Sequence, residues 1–120
     1  MICVVDDDES VRLAVGTLLR SVGFEIRAFS SGAEFMLSGV AEECDCLIAD
    51  IRMAGMSGFE LREALMAAGI DLPVVFISAH VDPDAQARVL ATGAAGFLSK
   101  PFTESALLEC VRAALLSRRR

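Results

Sequence analysis

The sequence predicts one α/β domain in which a parallel five-stranded sheet carries helices on both faces. Short apolar runs alternate five times with segments of helical period, which is the pattern of repeated strand-helix units. Most of the runs are apolar throughout, as expected of parallel strands covered on both sides. The length of 120 residues is enough for one hydrophobic core and too short for two. We therefore expect residues 1–120 to form a single domain.

The five predicted strands end at turn residues or at polar residues. The first run is Ile-Cys-Val-Val, the third leads directly into Asp50, and the fifth is the weakest because it is short and begins with glycine;. The strands are predicted over residues 2–5, 25–29, 46–49, 74–77 and 96–98.

The segments between the strands carry helix-start signals. Ser31 and Ser57 each precede a glutamate by three residues, the spacing of a capping box;. Asp82 stands before a proline, and Thr103 precedes the last periodic segment, so both are predicted N-caps;. The positions predicted to face inward on the first, third and fifth helices are Val11, Val15, Leu18, Leu19, Val22, Leu61, Ala64, Leu65, Ala68, Leu107, Val111, Ala114 and Leu115;. Five such units match the flavodoxin-like strand order 2-1-3-4-5, whose site lies beyond the carboxyl ends of the strands.

Composition and charge exclude several classes of protein. The net charge of −6 disfavours direct nucleic-acid binding by this domain and suits cations or basic partner surfaces. The longest run without a formal charge, residues 89–99, is too short to span a membrane;. Asp6 interrupts the first apolar segment, which argues against a signal peptide;. We therefore expect a cytoplasmic domain.

The four cysteines do not suggest a disulfide framework. Cys3 and Cys110 lie in apolar patterns, and Cys44 and Cys46 form a C-x-C pair without further metal ligands;. With a reducing cytosol as the simplest setting, all four are predicted to be structural thiols.

Polar residues follow four of the predicted strands where each strand ends. These are Asp6-Asp7-Asp8, Asp50, Ser78 and Ser99-Lys100. Several carboxylates at one rim repel one another unless a cation is bound, and Mg²⁺ prefers carboxylate and phosphate oxygens. Lysine and a hydroxyl suit a phosphoryl group, so the site predicts phosphoryl transfer to a carboxylate. For each acid taken singly, a solvated loop position is an equal alternative, and Asp8 can simply favour the start of the first helix.

These residues resemble the receiver domain of two-component response regulators. The resemblance rests on Val-Val-Asp-Asp at 4–7, Asp50 after Leu-Ile-Ala, Ser-Ala at 78–79 and Lys-Pro-Phe at 100–102. The block Asp-Ile-Arg-Met-Ala-Gly-Met-Ser-Gly at 50–58 is similar to FixJ-type regulators in particular. The resemblance to receiver domains implies a phosphoacceptor protein that assists its own phosphorylation and dephosphorylation and is not a classical enzyme.

Residue by residue, the resemblance implies that Asp50 is the phosphoacceptor. Asp7, Asp50 and the backbone carbonyl of Arg52 would ligate Mg²⁺ (or Mn²⁺), with Asp6 acting through a bound water. Lys100 would contact the acyl phosphate.

The same resemblance implies that the peptide bond between Lys100 and Pro101 is cis. Ser78 would be the switch hydroxyl and Phe97 the aromatic that reorients with it. Arg52 and His80 stand at positions that tune phosphoryl lifetime in relatives. Two departures from the family pattern are Ala54 in place of proline and Ser78 in place of the commoner threonine.

The implied partners are a sensor histidine kinase and a DNA-binding output domain that is absent from this chain. The chain is either an excised receiver or a stand-alone one. Phosphorylation is expected to change the surface formed by the fourth helix, fifth strand and fifth helix. Self-association through this surface, as a phosphorylation-dependent homodimer, is expected to follow.

Two other functions remain open. A haloacid-dehalogenase-like phosphatase would use Asp6 as nucleophile and Asp8 as general acid/base, although the chain has no late acidic pair for its metal. A degenerate receiver would act only through protein contacts, although no member of the acidic and basic set is missing.

Overall fold

The structure is a computed structural model that describes residues 1–79 and 83–118. Within these residues, five strands alternate with five helices, and a short 3-10 helix (Ala41–Glu43) precedes the third strand. The strands are β1 (Ile2–Val5), β2 (Ile26–Phe29), β3 (Cys46–Asp50), β4 (Val74–Ser78) and β5 (Gly96–Ser99). The helices are α1 (Glu9–Ser21), α2 (Gly32–Ser38), α3 (Gly58–Ala67), α4 (Pro83–Thr92) and α5 (Glu104–Arg118).

The sheet has the order β2-β1-β3-β4-β5, and every pair of neighbouring strands is parallel. This confirms the predicted fold class and strand order. The register places Val5 beside Ala49, Asp50 beside Ile77, and Ser78 beside Ser99. The carboxyl ends of β1, β3, β4 and β5 therefore meet at one edge of the sheet.

Two hydrophobic clusters lie on opposite faces of the sheet. One contains Phe35 of α2, Leu61 of α3 and Val89 of α4. The other contains Leu19 of α1 and Leu107 of α5. Alternate residues of the central strands point into one cluster or the other, which is why these strands are apolar on both sides.

Helix caps form largely as predicted. The Ser57 hydroxyl accepts from the Glu60 amide, and the Glu60 carboxylate accepts from the Ser57 amide, each at 3.1 Å. Ser31 makes the first of these two bonds to its own glutamate, but that carboxylate accepts from Ser30 instead, so the second bond is absent there. Thr103 caps α5 by accepting from the Ala106 amide. The predicted cap at Asp82 lies outside the described residues.

Two predicted inward positions are wrong. Val22 is 43% exposed because it follows the last turn of α1, where the chain leaves the helix axis. Ala68 is exposed for the same reason at the end of α3. Strand ends shift by one residue: β2 begins at Ile26, and β3, β4 and β5 include Asp50, Ser78 and Ser99, respectively.

The prediction of four thiols is also wrong. Cys3 and Cys44 form a disulfide with their Cα atoms 6.4 Å apart, and both are fully buried. The pairing arises because the chain entering β3 runs alongside the start of β1, where the Asp45 amide donates to the Met1 carbonyl at 2.8 Å. Cys46 and Cys110 are free, and burial raises the pKa of Cys46 to about 12.

None of the helices in the described part of the chain is long and apolar enough to cross a membrane.

Candidate functional site

Four elements deliver the predicted site residues to one edge of the sheet. Asp6 follows β1, Asp50 is the last residue of β3, and Lys100 follows β5. The backbone of β5 is held next to β4 at this edge, because the Lys100 amide donates to the Ser78 carbonyl at 2.8 Å. Residues far apart in the sequence therefore converge where parallel strands end.

Lys100 is the centre of this arrangement. Its Nζ donates to Asp6 Oδ2 and to Asp50 Oδ2, each at 3.0 Å. The Lys100 side chain is 17% exposed, and the two carboxylates are almost fully buried. A cation that is mostly shielded from solvent in this way is stabilised by the carboxylates that it bridges.

Burial and hydrogen bonding shift the pKa values of Asp50 and Lys100. Burial raises the pKa of Asp50, and the nearby Asp6 charge acts in the same direction, against the lowering effect of the Lys100 hydrogen bond. Burial would lower the pKa of Lys100, but the hydrogen bonds to the two carboxylates outweigh it and raise that pKa;. Three carboxyl groups, those of Asp6, Asp7 and Asp50, thus share a single lysine at this edge of the sheet.

Asp6 has a donor at each carboxylate oxygen. Oδ2 accepts from Lys100, and Oδ1 accepts from the Asp8 amide at 2.9 Å. Its backbone carbonyl accepts from Arg12 Nη1 at 2.7 Å. Asp6 is therefore held in place by Asp8 and Arg12, which follow β1, and by Lys100, which follows β5.

The donor set fits a hard divalent cation. Carboxylate oxygens of Asp6, Asp7 and Asp50 all lie within 4.8 Å of one another. Asp7 is exposed to solvent, whereas Asp6 and Asp50 are buried. All three groups offer oxygen ligands, the type that Mg²⁺ prefers, and the exposed side leaves room for waters or phosphate oxygens.

The loop after β3 is tied to these acids by its backbone. The Arg52 amide donates to Asp50 Oδ1 at 3.1 Å, and the Ala54 amide donates to Asp7 Oδ2 at 3.3 Å. These two hydrogen bonds hold the backbone of the loop against the two carboxylates. They do so although Ala54 lacks the rigid ring of the proline that is usual at this position in receiver domains.

Gly58 is a residue of the candidate site that the sequence patterns do not single out. A Cβ at this position would lie 2.5 Å from the backbone carbonyl oxygen of Asp50. The Gly58 amide donates to the Ile51 carbonyl at 3.0 Å, which brings the start of α3 against the end of β3. A glycine at the first position of a helix, directly after its cap, was the available signal, because glycine is a poor helix former.

The other predicted residues lie around this centre. Ser78 is buried at the end of β4, one position beyond the partner of Asp50. Phe97 is half-buried on the edge strand β5, beside Phe76. The Lys100–Pro101 peptide bond is cis, the geometry that the resemblance implied. The proposed tuning residue His80 lies outside the described residues.

Asp8 caps helix α1 and is not part of the cluster formed by Asp6, Asp7 and Asp50. Its Oδ1 accepts from the amide and the hydroxyl of Ser10 at 2.9 and 2.7 Å, and these bonds lower the pKa of Asp8. This N-cap role leaves no support for Asp8 as the acid/base partner of a phosphatase nucleophile at Asp6.

Comparison with known proteins gives a consistent result. Residues 2–112 match the family described as response regulator receiver domain. The response regulator protein TodT of Pseudomonas putida is 39% identical over 96% of this chain and 51% of its own length. The transcriptional regulatory protein FixJ of Azorhizobium caulinodans is 38% identical over 93% of this chain and 53% of its own. Among solved structures, the response regulator StyR superposes with a TM-score of 0.90 at 44% identity, covering 98% of this chain and 60% of that one.

The fold and the acidic edge are those of a signalling receiver, and the chain belongs to the response regulator receiver domain family. Its relatives include FixJ, as the block after β3 indicated. The chain spans about half the length of the curated relatives that it matches.

Proposed function

We propose that this domain is a phosphoacceptor switch in which Asp50 takes a phosphoryl group from the phosphohistidine of a sensor histidine kinase. The observation that carries the proposal is the position of Lys100 Nζ, 3.0 Å from both Asp6 and Asp50. A lysine held between two buried carboxylates is placed to neutralise charge on an incoming phosphoryl group.

In the proposed reaction, an Asp50 carboxylate oxygen attacks phosphorus and the P–N bond of phosphohistidine breaks. The imidazole leaves with the electron pair of that bond and takes up a proton from solvent. The product is an acyl phosphate on Asp50, and hydrolysis of that anhydride returns the free carboxylate. Lys100 balances the added negative charge, and the Arg52 amide, at 3.1 Å from Asp50 Oδ1, orients the carboxylate.

The cofactor of this proposal is Mg²⁺ or Mn²⁺. Asp7, Asp50 and the Arg52 carbonyl would hold it, with Asp6 assisting through water. When bound, the ion supplies positive charge that stabilises phosphoryl oxygens and relieves repulsion among the carboxylates.

Ser78 and Phe97 are the proposed response elements. The Ser78 hydroxyl would donate to a phosphoryl oxygen, and Phe97, half-buried beside Phe76, would reorient with it;. Ser78→Ala should then still accept phosphate but lose most of the conformational change.

The proposed output follows from the relatives, whose names describe response regulators and transcriptional regulators. We infer a DNA-binding output domain outside this chain, a cytoplasmic location and a homodimer formed on phosphorylation through α4, β5 and α5. Leu90 of α4 and Leu116 of α5 are exposed and would contribute apolar area to that interface;.

The experiment is incubation with acetyl phosphate and Mg²⁺, followed by intact mass spectrometry. Wild type should gain one phosphoryl group that hydroxylamine removes, and Asp50→Asn should gain none. Asp7→Asn should suppress the reaction, whereas the matched variant Asp8→Asn should react normally because Asp8 caps α1. A modified Asp50→Asn protein, or an acid-stable and hydroxylamine-resistant product, would refute the assignment.

A further inference from the structure

Helix α4 is lightly anchored to the rest of the domain. Of its described residues from Pro83 to Thr92, Val89 is the one that is buried. Leu90, next to it, is 79% exposed. A helix with one buried side chain is held by few apolar contacts and can shift at low cost.

Arg88 adds a second attachment beside Val89. Its guanidinium carbon lies 4.4 Å from the centroid of the Phe59 ring, within the range of a cation–π interaction;. Phe59 is itself buried, with its ring 5.0 Å from that of Phe76 on β4. Arg88 therefore contacts a ring that is fixed in the core.

Phe59 directly follows Gly58, where α3 packs tightly against the backbone of the candidate phosphoacceptor. Gly58 packs against the Asp50 carbonyl and donates to the Ile51 carbonyl. A cleft of about 620 Å³ lies between the loop after β3 and the first turn of α4. The cleft is lined by Ile51, Arg52, Met53, Ser57, Phe59, Asp84, Ala85 and Arg88. Arg88 thus links α4 to the start of α3, which packs against the backbone of Asp50 at the end of β3.

We propose that Arg88 is a positioning residue of the unphosphorylated state, whose contact with Phe59 holds α4 in place and is broken when Asp50 is phosphorylated. This inference rests on the proposed function. Ser78 at the end of β4 is followed along the chain by the start of α4 at Pro83, so a movement of Ser78 toward a phosphoryl group would act on a helix whose buried residue, among those described, is Val89;. A contact made in only one of two states biases the equilibrium toward that state.

The test is the apparent affinity for beryllofluoride in the presence of Mg²⁺, since this anion mimics a phosphoryl group on the acceptor carboxylate. Arg88→Gln and Phe59→Leu should each bind it about two- to fivefold more tightly than wild type, the effect of removing one exposed cation–π contact from the free state alone. Simple electrostatics predicts the reverse for Arg88→Gln, because removing a positive charge weakens anion binding. Arg88→Lys, which keeps the cation, should lie closer to wild type.

Arg27 provides the matched control. Its guanidinium carbon lies 5.9 Å from the Phe29 ring, on the edge strand β2. Arg27→Gln removes the same charge and the same type of contact away from α4, and it should leave the affinity unchanged.

Amide chemical shifts of α4 give a second readout that simple loss of stability would not produce. In Arg88→Gln and Phe59→Leu without beryllofluoride, these shifts should move along the line from the free to the bound wild-type positions. If Phe59→Leu does not fold, Arg88→Gln decides the question. Unchanged or weakened affinity with unmoved α4 shifts would overturn the role of Arg88 while leaving Asp50 as acceptor, whereas a wild type that binds no beryllofluoride would overturn both proposals.

Discussion

Replacing Lys100 by methionine should destabilise the domain, because it leaves two buried carboxylates without their shared cation. The oxygens of Asp6 and Asp50 lie within 4.8 Å of each other. At that separation, two unit charges at an effective dielectric constant of about 20 repel by about 3.5 kcal/mol. Breaking a buried ion pair by removing one partner typically costs about 3–5 kcal/mol. The free energy of unfolding of Lys100→Met at neutral pH in EDTA should therefore fall by about 3 kcal/mol. This value is the lower end of the range for buried ion pairs, because the Lys100 side chain is partly exposed;.

The measurement is urea unfolding followed by circular dichroism, since the chain has no tryptophan or tyrosine for fluorescence. Adding Mg²⁺ should stabilise Lys100→Met more than wild type, because the uncompensated carboxylates bind a cation more strongly. We expect the cation to restore about half of the lost stability or more.

The double variant Asp6→Asn, Lys100→Met is the control for this reasoning. It removes one of the two repelling charges in the same background, so it should be more stable than Lys100→Met alone. A Lys100→Met protein within about 0.5 kcal/mol of wild type, or a double variant that is less stable than Lys100→Met, would refute the argument from carboxylate repulsion.

Three further predictions concern other parts of the fold. The Cys3–Cys44 disulfide closes a loop with a sequence separation of 41, so oxidised wild type should be about 4 kcal/mol more stable than Cys3→Ser by chain entropy; a thiol titration in urea that finds every cysteine free in oxidised wild type would contradict this. Gly58→Ala should cost about 1–3 kcal/mol and slow acetyl phosphate labelling, because its Cβ meets the Asp50 carbonyl;. An Ala variant as stable and as reactive as wild type would show that the loop adjusts freely. Cys46, with a pKa of about 12, should resist iodoacetamide in the folded protein at roughly pH 8 and react after unfolding; rapid labelling of Cys46 in the native state would contradict its burial.

The fold and the centre of the site were predictable from the sequence because both depend on local patterns. Apolar runs ending at Asp50 and before Asp6 identify central strands and also mark where they end. Parallel strands share one carboxyl edge, so these acids and Lys100 had to converge once the strand order was known. Capping by Ser57 and Thr103 was predictable for the same reason, since each cap involves residues three positions apart;.

Interactions between distant segments were decided by the tertiary structure. The Cys3–Cys44 bond depends on how the chain enters β3 beside β1, which no spacing of cysteines reveals.

The direct bridge from Lys100 to Asp6, the approach of Gly58 to Asp50 and the stacking of Arg88 on Phe59 are likewise set by packing. Each needs two side chains or backbones to meet within a few ångströms after the helices have docked. Sequence periodicity determines which face of an element is buried, but the identity of the residue that it meets there is determined by how the elements pack.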